Sequence, residues 1–303
     1  MAFSTQVSTA APRVGEDKAA GPTPTRRGVL KAGATAAALG AVGWSTTAVA
    51  AQIDQATPSV AATPDVMSCV LTAERTEGPY YLEGDLIRRD ITEGKEGVPL
   101  RLKIVVADPT ACTPLANAAV DIWHCDAHGY YSGISSNSPG GDADPALAAE
   151  AATQKFLRGI QVTDGSGAVE FETIYPGWYA GRTVHIHLKV TVEGTAASTY
   201  DGGHVAHTGQ LFFDDAITDK VFALEPYVNR PEDERTTNDD DNIFGDHEDE
   251  PGFLVTLTPI AEGSVNDGYL ATVAIGVDPS ATPSAFGGRG RPPAGDDAPP
   301  PAG

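Results

Sequence analysis

Leu100-Arg101-Leu102-Lys103-Ile104-Val105-Val106 alternates apolar with charged side chains over its first five positions. That period of two sets Leu100, Leu102, Ile104 and Val106 on one face of an extended chain. The same pattern recurs through Val120, Ile122 and His124, and over residues 159–163, 169–174, 184–192, 210–213, 253–257 and 269–275. Turn chemistry separates these runs: Asp164-Gly165-Ser166-Gly167, Tyr175-Pro176-Gly177 and Asp201-Gly202-Gly203 supply residues that tolerate left-handed or proline-fixed backbone. Only residues 146–152 and 216–221 read as helices, both short. The expectation is a mainly β fold, a single β-sandwich of about eight strands with short helices and long loops that carry a site at one end.

Outside that region the composition changes. Thr25-Arg26-Arg27-Gly28-Val29-Leu30-Lys31 is a twin-arginine export signature, followed by an apolar run over 32–44 and by Ala48-Val49-Ala50. A run of about a dozen residues falls short of the ~20 that a membrane-spanning helix needs, so 1–50 reads as a cleaved signal peptide. Residues 51–65 read as a flexible linker, 66–277 as the catalytic domain and 278–303 as a disordered Pro/Gly-rich tail. The expected location is secreted or extracellular, with attachment to the cell surface left open.

Removing residues 1–50, with five basic and two acidic side chains, deepens the formal charge from −21 to −24. Such a charge repels phosphate backbones and anionic headgroups, so neither nucleic acid nor, in the mature form, membrane is an expected partner. Much of the acid lies between Glu232 and Glu250, where Asp239-Asp240-Asp241 and Glu248-Asp249-Glu250 flank Ile243 and Phe244. Without a glycine-centred loop bearing ligands at alternate positions, this stretch reads as a solvated acidic loop rather than a calcium site. Three cysteines in an exported chain suggest one disulfide. Cys69 and Cys112 stand in loop-like contexts and are the expected pair. Cys125 sits on an apolar run, where metal ligation is the rival reading although no paired cysteine spacing supports it.

On the strand expected over 184–192, His185 and His187 project to one face while Ile186, Leu188 and Val190 project to the other. Two imidazoles make half a metal site, one that zinc enzymes use equally well. Tyr179 stands six positions before His185 in the turn-rich Pro176-Gly177-Trp178-Tyr179-Ala180-Gly181-Arg182, and Tyr131 follows Gly129-Tyr130. Phenolate with imidazole suits a hard ferric ion, although a buried tyrosine alone is commonly structural.

Three blocks together resemble the intradiol ring-cleavage dioxygenases. These are Val120-Asp121-Ile122-Trp123-His124-Cys125-Asp126-Ala127-His128-Gly129-Tyr130-Tyr131, then Phe156-Leu157-Arg158-Gly159-Ile160-Gln161-Val162-Thr163-Asp164, and then the stretch from Tyr175 to Leu188 with Pro-Gly-x-Tyr and Arg-x-x-His-x-His. The resemblance implies Fe(III) as cofactor, held by Tyr131 rather than Tyr130, and by Tyr179, His185 and His187. It implies a catechol-type aromatic and O2 as partners, opened to a muconate-type product. Tyr179 would leave the metal and take a substrate proton, Arg182 would stabilise charge developing on the ring, and Gln210 would lie near the substrate. Thr76-Glu77-Gly78-Pro79-Tyr80-Tyr81 resembles a segment beside the family's pocket, with Pro79 and Tyr80 walling the substrate; a plain Gly-Pro turn reads equally well. His124, His128, His204 and His207 have no partner spacing and no metal role. Only five residues separate Tyr179 from His185, fewer than in better-known relatives, which implies a more open pocket. A homo-oligomer is compatible with the resemblance. Two rivals remain at this point: a zinc-dependent hydrolase built on His185 and His187 with an acidic third ligand, and a non-catalytic sandwich module.

Overall fold

The structure, a computed structural model, describes residues 69–283 apart from 85, 136–143, 228–234, 246–249, 251 and 262–263. The leader over 1–50, the linker over 51–65 and the tail from 284 lie outside the described residues. The alternation at 100–106 becomes β1 (Pro99–Asp108), whose buried residues include Leu100, Leu102, Ile104 and Val106. After the short β2 (Thr113–Pro114) come β3 (Ala119–Trp123), α1 (Pro145–Ala151), β4 (Arg158–Val162), β5 (Ala168–Ile174) and β6 (His185–Val192). The short β7 (Thr195–Ala196) and β8 (Tyr200–Asp201) pair with each other. Then follow β9 (His204–Phe212), α2 (Asp215–Phe222), β10 (Thr256–Pro259) and β11 (Tyr269–Gly276).

One sheet runs β10-β11-β1, with β5 and β2 both pairing the far side of β1. The other runs β4-β3-β6-β9, antiparallel throughout. A single apolar core fills the space between them: Leu100, Leu102 and Ile104 of β1, Phe171 of β5 and Ile275 of β11 belong to the same cluster as Ile122 of β3 and Ile186, Leu188 and Val190 of β6. Both helices begin on an aspartate cap, Asp144 accepting from Ala146 N and Asp214 from Ile217 N, which satisfies an otherwise orphaned amide.

Three expectations need correction. The run over 253–257 is only partly a strand: Leu254 makes an isolated parallel bridge with Phe212, and β10 starts at Thr256. Phe253 is drawn instead into a stack with Phe212 (5.1 Å) and Phe244, and its carbonyl accepts from Phe212 N at 2.8 Å. The run over 210–213 is the end of a longer strand beginning at His204. Cys125 lies beyond the end of β3 in the following turn, buried, while Cys69 and Cys112 form a disulfide that ties the start of the described chain to the β1–β2 turn.

β3 is buried along its whole length and β6 along nearly all of it, on both faces. The inner face meets the core. The outer face carries His185 and His187, and at that end of the sheet the loops of Tyr80, Tyr131 and Tyr179 cover it. The site thus sits on the outer surface of one sheet near its end, under loops, rather than in the loops alone.

Candidate active site

The loop after β3 delivers the first phenol. Asp126 accepts from His128 N and Tyr130 N, both at 3.0 Å, and from Lys95 Nζ at 2.6 Å, and Gly129 takes φ +90°. This tight turn divides two adjacent tyrosines. Tyr130 Oη accepts from Asp144 N at 2.7 Å, away from the histidines, while Tyr131, with no exposed surface, points its hydroxyl at His185.

The loop before β6 delivers the second phenol. Gly177 N donates to Asp126 O at 3.1 Å, and a Cβ on Gly177 would strike the carbonyls of Asp126 and Ala127. Only a glycine lets the two tyrosine-bearing loops approach so closely. Arg182 N then donates to Tyr179 O at 3.1 Å, closing a turn that sets Tyr179 and Arg182 side by side.

Four donor atoms from these elements converge. His185 Nε2 lies 3.0 Å from His187 Nε2, 3.2 Å from Tyr179 Oη and 3.4 Å from Tyr131 Oη. With bonds of about 2.1 Å, ligand atoms around a metal stand roughly 3.0–3.4 Å apart, so the cluster has the size of a coordination shell. His185 Nδ1 is 2.6 Å from Thr183 O. A carbonyl can only accept, so Nδ1 carries the hydrogen and Nε2 presents its lone pair inward. His187 Nδ1 is buried with no hydrogen-bond partner; its ring is set by Trp123, stacked parallel at 5.0 Å, and by Gly78, whose absent Cβ would stand 3.1 Å from Cε1.

Burial governs the protonation states. It holds both imidazoles far below the usual histidine range, helped by the Arg182 charge, so both are neutral. It pushes both phenols up, Tyr131 strongly, with the neighbouring Tyr179 adding to the rise there; for Tyr179, Arg182 opposes it. A phenolate in this site therefore needs a cation. Two phenols and two imidazoles fit a ferric ion. No group of three His, Cys, Asp or Glu placed to hold a metal occurs among the described residues, so the acidic third ligand that the zinc reading wants is not beside the histidines there.

Arg182 Nη1 lies 3.4 Å from His185 Nε2, Nη2 donates to Gln210 Oε1 at 2.5 Å, and Nε donates to Asp241 Oδ2 at 2.9 Å. Gln210 Nε2 donates to Thr76 O at 2.7 Å, so both ends of that amide are engaged in holding the arginine and the 76–81 segment. Tyr80 stacks on Tyr131 at 4.5 Å and meets Tyr179 edge-on at 5.8 Å, beside Pro79. The reading of 232–250 as a solvated loop fails at Asp241, which is buried against Arg182 and Thr183. Trp123 and Asp241 are the residues that sequence reasoning passed over. Trp123 stands directly opposite His187 in the β3–β6 register, a signal visible once the strands are paired. Asp241 had none beyond its charge. Of the four histidines given no metal role, His124 bonds Cys125 O and Thr173 Oγ1, and His204 bonds Pro279 O.

Residues 76–228 match the family model described as Dioxygenase. The chain is 32% identical to the intradiol ring-cleavage dioxygenase from Tetranychus urticae, covering 72% of this chain and 98% of that one with a TM-score of 0.59. It is 27% identical over 157 residues to chlorocatechol 1,2-dioxygenase of Pseudomonas putida, covering 44% of this chain and 55% of that protein. It is 24% identical over 151 residues to catechol 1,2-dioxygenase 1 of Acinetobacter lwoffii, covering 42% and 44%. The chain therefore spans about half the length of the curated relatives it matches, and nearly all of the Tetranychus urticae protein. It belongs to the intradiol ring-cleavage dioxygenase family.

Proposed function

We propose that the protein is an exported ferric non-haem dioxygenase that opens catechol-type aromatics between their two hydroxyl-bearing carbons with O2, giving muconate-type products. The observation that carries this reading is the meeting of Tyr131, Tyr179, His185 and His187 at 3.0–3.4 Å around His185 Nε2. Bound there, Fe(III) would supply a Lewis acid that holds both catechol oxygens and draws electron density from the ring, preparing it for O2.

The two phenols are unequal. Tyr131 is sealed beneath Tyr80, whereas Tyr179 retains 8% of its surface and sits on a turn. Tyr179 is thus the phenol able to swing off and accept a catechol proton at Oη, while Tyr131 stays in place. Arg182 keeps one N–H edge toward the site, where it stabilises negative charge as it develops. Tyr80 packs over Tyr131 and against Tyr179, and such aromatic walls would keep water from the reacting ring. Export is supported by the twin-arginine segment and by the disulfide, which suits an oxidising compartment.

The test is optical and then chemical. Iron bound by tyrosinate absorbs visible light, so the purified protein is expected to be red-brown, its band to shift on anaerobic addition of catechol, and O2 uptake to follow aeration. A colourless protein carrying stoichiometric zinc and consuming no O2 over a catechol panel overturns the reading. Export is tested separately: protein recovered outside the cell should begin near Ala51, and Arg26→Lys with Arg27→Lys should retain it inside.

A further inference from the structure

Asp241 comes from the most acidic part of the chain, yet none of its side chain is exposed. Its Oδ2 accepts from Arg182 Nε at 2.9 Å and from Thr183 N at 2.7 Å; its Oδ1 accepts from Ile243 N at 2.6 Å and Phe244 N at 3.1 Å. A carboxylate taken out of water persists only where its oxygens are filled by donors and its charge is matched. Here four donors fill it, and the matching charge is Arg182.

A guanidinium is a rigid planar fork. Asp241 holds its Nε edge and Gln210 holds Nη2, so the direction of Nη1, 3.4 Å from His185 Nε2, has no remaining freedom. The same carboxylate fixes Thr183 N, and Thr183 O receives the Nδ1 hydrogen of His185. Asn238 completes the clasp, accepting from Thr183 Oγ1 at 2.8 Å and donating to Phe213 O at 2.9 Å.

Resting on the ring-opening function argued above, we propose that Asp241 is a positioning residue for the reaction: it acts through Arg182 to aim the Nη1 N–H at the substrate ring. A segment far along the chain thereby controls the group that answers charge developing in the transition state.

A double-mutant cycle on the iron-loaded full chain tests this. Asp241→Asn leaves all four metal-binding side chains intact and keeps an oxygen that can accept from Thr183 N, so iron content, the visible band and the affinity for catechol added anaerobically are expected to be retained. The kcat is expected to fall about 100-fold, the scale on which a misplacement near 1 Å costs a reaction, with KM moving much less. Arg182→Gln should lower kcat at least as far, and adding Asp241→Asn to it should cost less than about 2-fold more, because coupled residues are not additive. Equal losses from Asp241→Asn in both backgrounds, or no loss of kcat from Asp241→Asn alone, overturn the proposal. If Asp241→Asn does not fold, Asp241→Glu, which keeps the charge and moves it by one methylene, is read in the same cycle. A wild-type protein without visible colour or O2 uptake counts instead against the dioxygenase reading itself, so the two failures are distinct.

Discussion

Replacing Gly78 by alanine separates backbone strain from damage to the metal site. Gly78 takes φ +73°, and a Cβ there would lie 3.1 Å from His187 Cε1. The left-handed conformation costs an alanine about 1–2 kcal/mol. The contact adds a second effect: nonbonded carbons are comfortable at about 3.5–4.0 Å, so His187 must retreat by roughly 0.4 Å, and the rigid ring carries Nε2 with it. Gly94 provides the control, with φ +78° in a turn closed by Lys95 N to Thr92 O and nothing within 4 Å of its missing Cβ. Both Gly78→Ala and Gly94→Ala are expected to lose about 1–2 kcal/mol, or roughly 2–8 °C in Tm for a domain of this size. Only Gly78→Ala should also shift the visible band of the iron-loaded protein, speed iron loss to a chelator and lower kcat. Melting by circular dichroism, absorption spectra and iron content measured side by side decide the matter. If the two variants match in spectrum and iron retention, the 76–81 segment does not seat against His187 and this account of its role is wrong.

The neighbouring tyrosines make a second pair: Tyr131→Phe should abolish the visible band and most bound iron, whereas Tyr130→Phe should keep the colour and lose only about 0.5–1.5 kcal/mol from its bonds to Asp144, as read by denaturant titration. Burial holds His124 and His207 at about 4, so between pH 6.5 and 4 the unfolded chain binds protons that the folded chain refuses. Their contribution to stability is intact above pH 6.5 and declines as pH falls, at up to about 1.4 kcal/mol per pH unit for each histidine; His207→Leu should reduce that slope in urea titrations across this window, and an unchanged slope contradicts the assignment. The disulfide spans 43 residues, and in the chain-entropy treatment a loop of that length is worth about 4 kcal/mol. Cys69→Ser with Cys112→Ser should lower the urea midpoint accordingly, while Cys125→Ser should not reproduce that loss.

The strands of the core were readable because their apolar residues face a single surface. Leu100, Leu102 and Ile104 alternate with Arg101 and Lys103, and the structure buries the first set and leaves Arg101 exposed. At β6 the same reading identified the inner residues Ile186, Leu188 and Val190, yet it gave no sign that the outer residues are equally buried. Beyond the adjacent Tyr179 loop, that burial comes from the segments of Tyr131 and Tyr80, distant in sequence, whose approach depends on Gly78 and Gly177 meeting backbone and ring atoms that only the folded chain brings near. The run over 253–257 misled for a related reason. Its large apolar residues serve an aromatic cluster with Phe212 and Phe244, and a period of two cannot distinguish a ladder from a stack.

The donor set was legible because its chemistry is local. Histidines at i and i+2 share a strand face, and a phenol on the preceding turn reaches them without a long loop. What holds that set in working order is not local. Asp241 lies 59 residues beyond Arg182, within a run of carboxylates of which composition says only that water solvates them. The structure separates Asp241 from its neighbour Asp240, which stays exposed, because a buried arginine edge and three backbone amides all point at one position in that run. A carboxylate becomes structural through its partners rather than through its own character. That partnership also decides whether an arginine beside the histidine pair is a swinging surface cation or a fixed donor, and the four hydrogen bonds to Asp241 select the second.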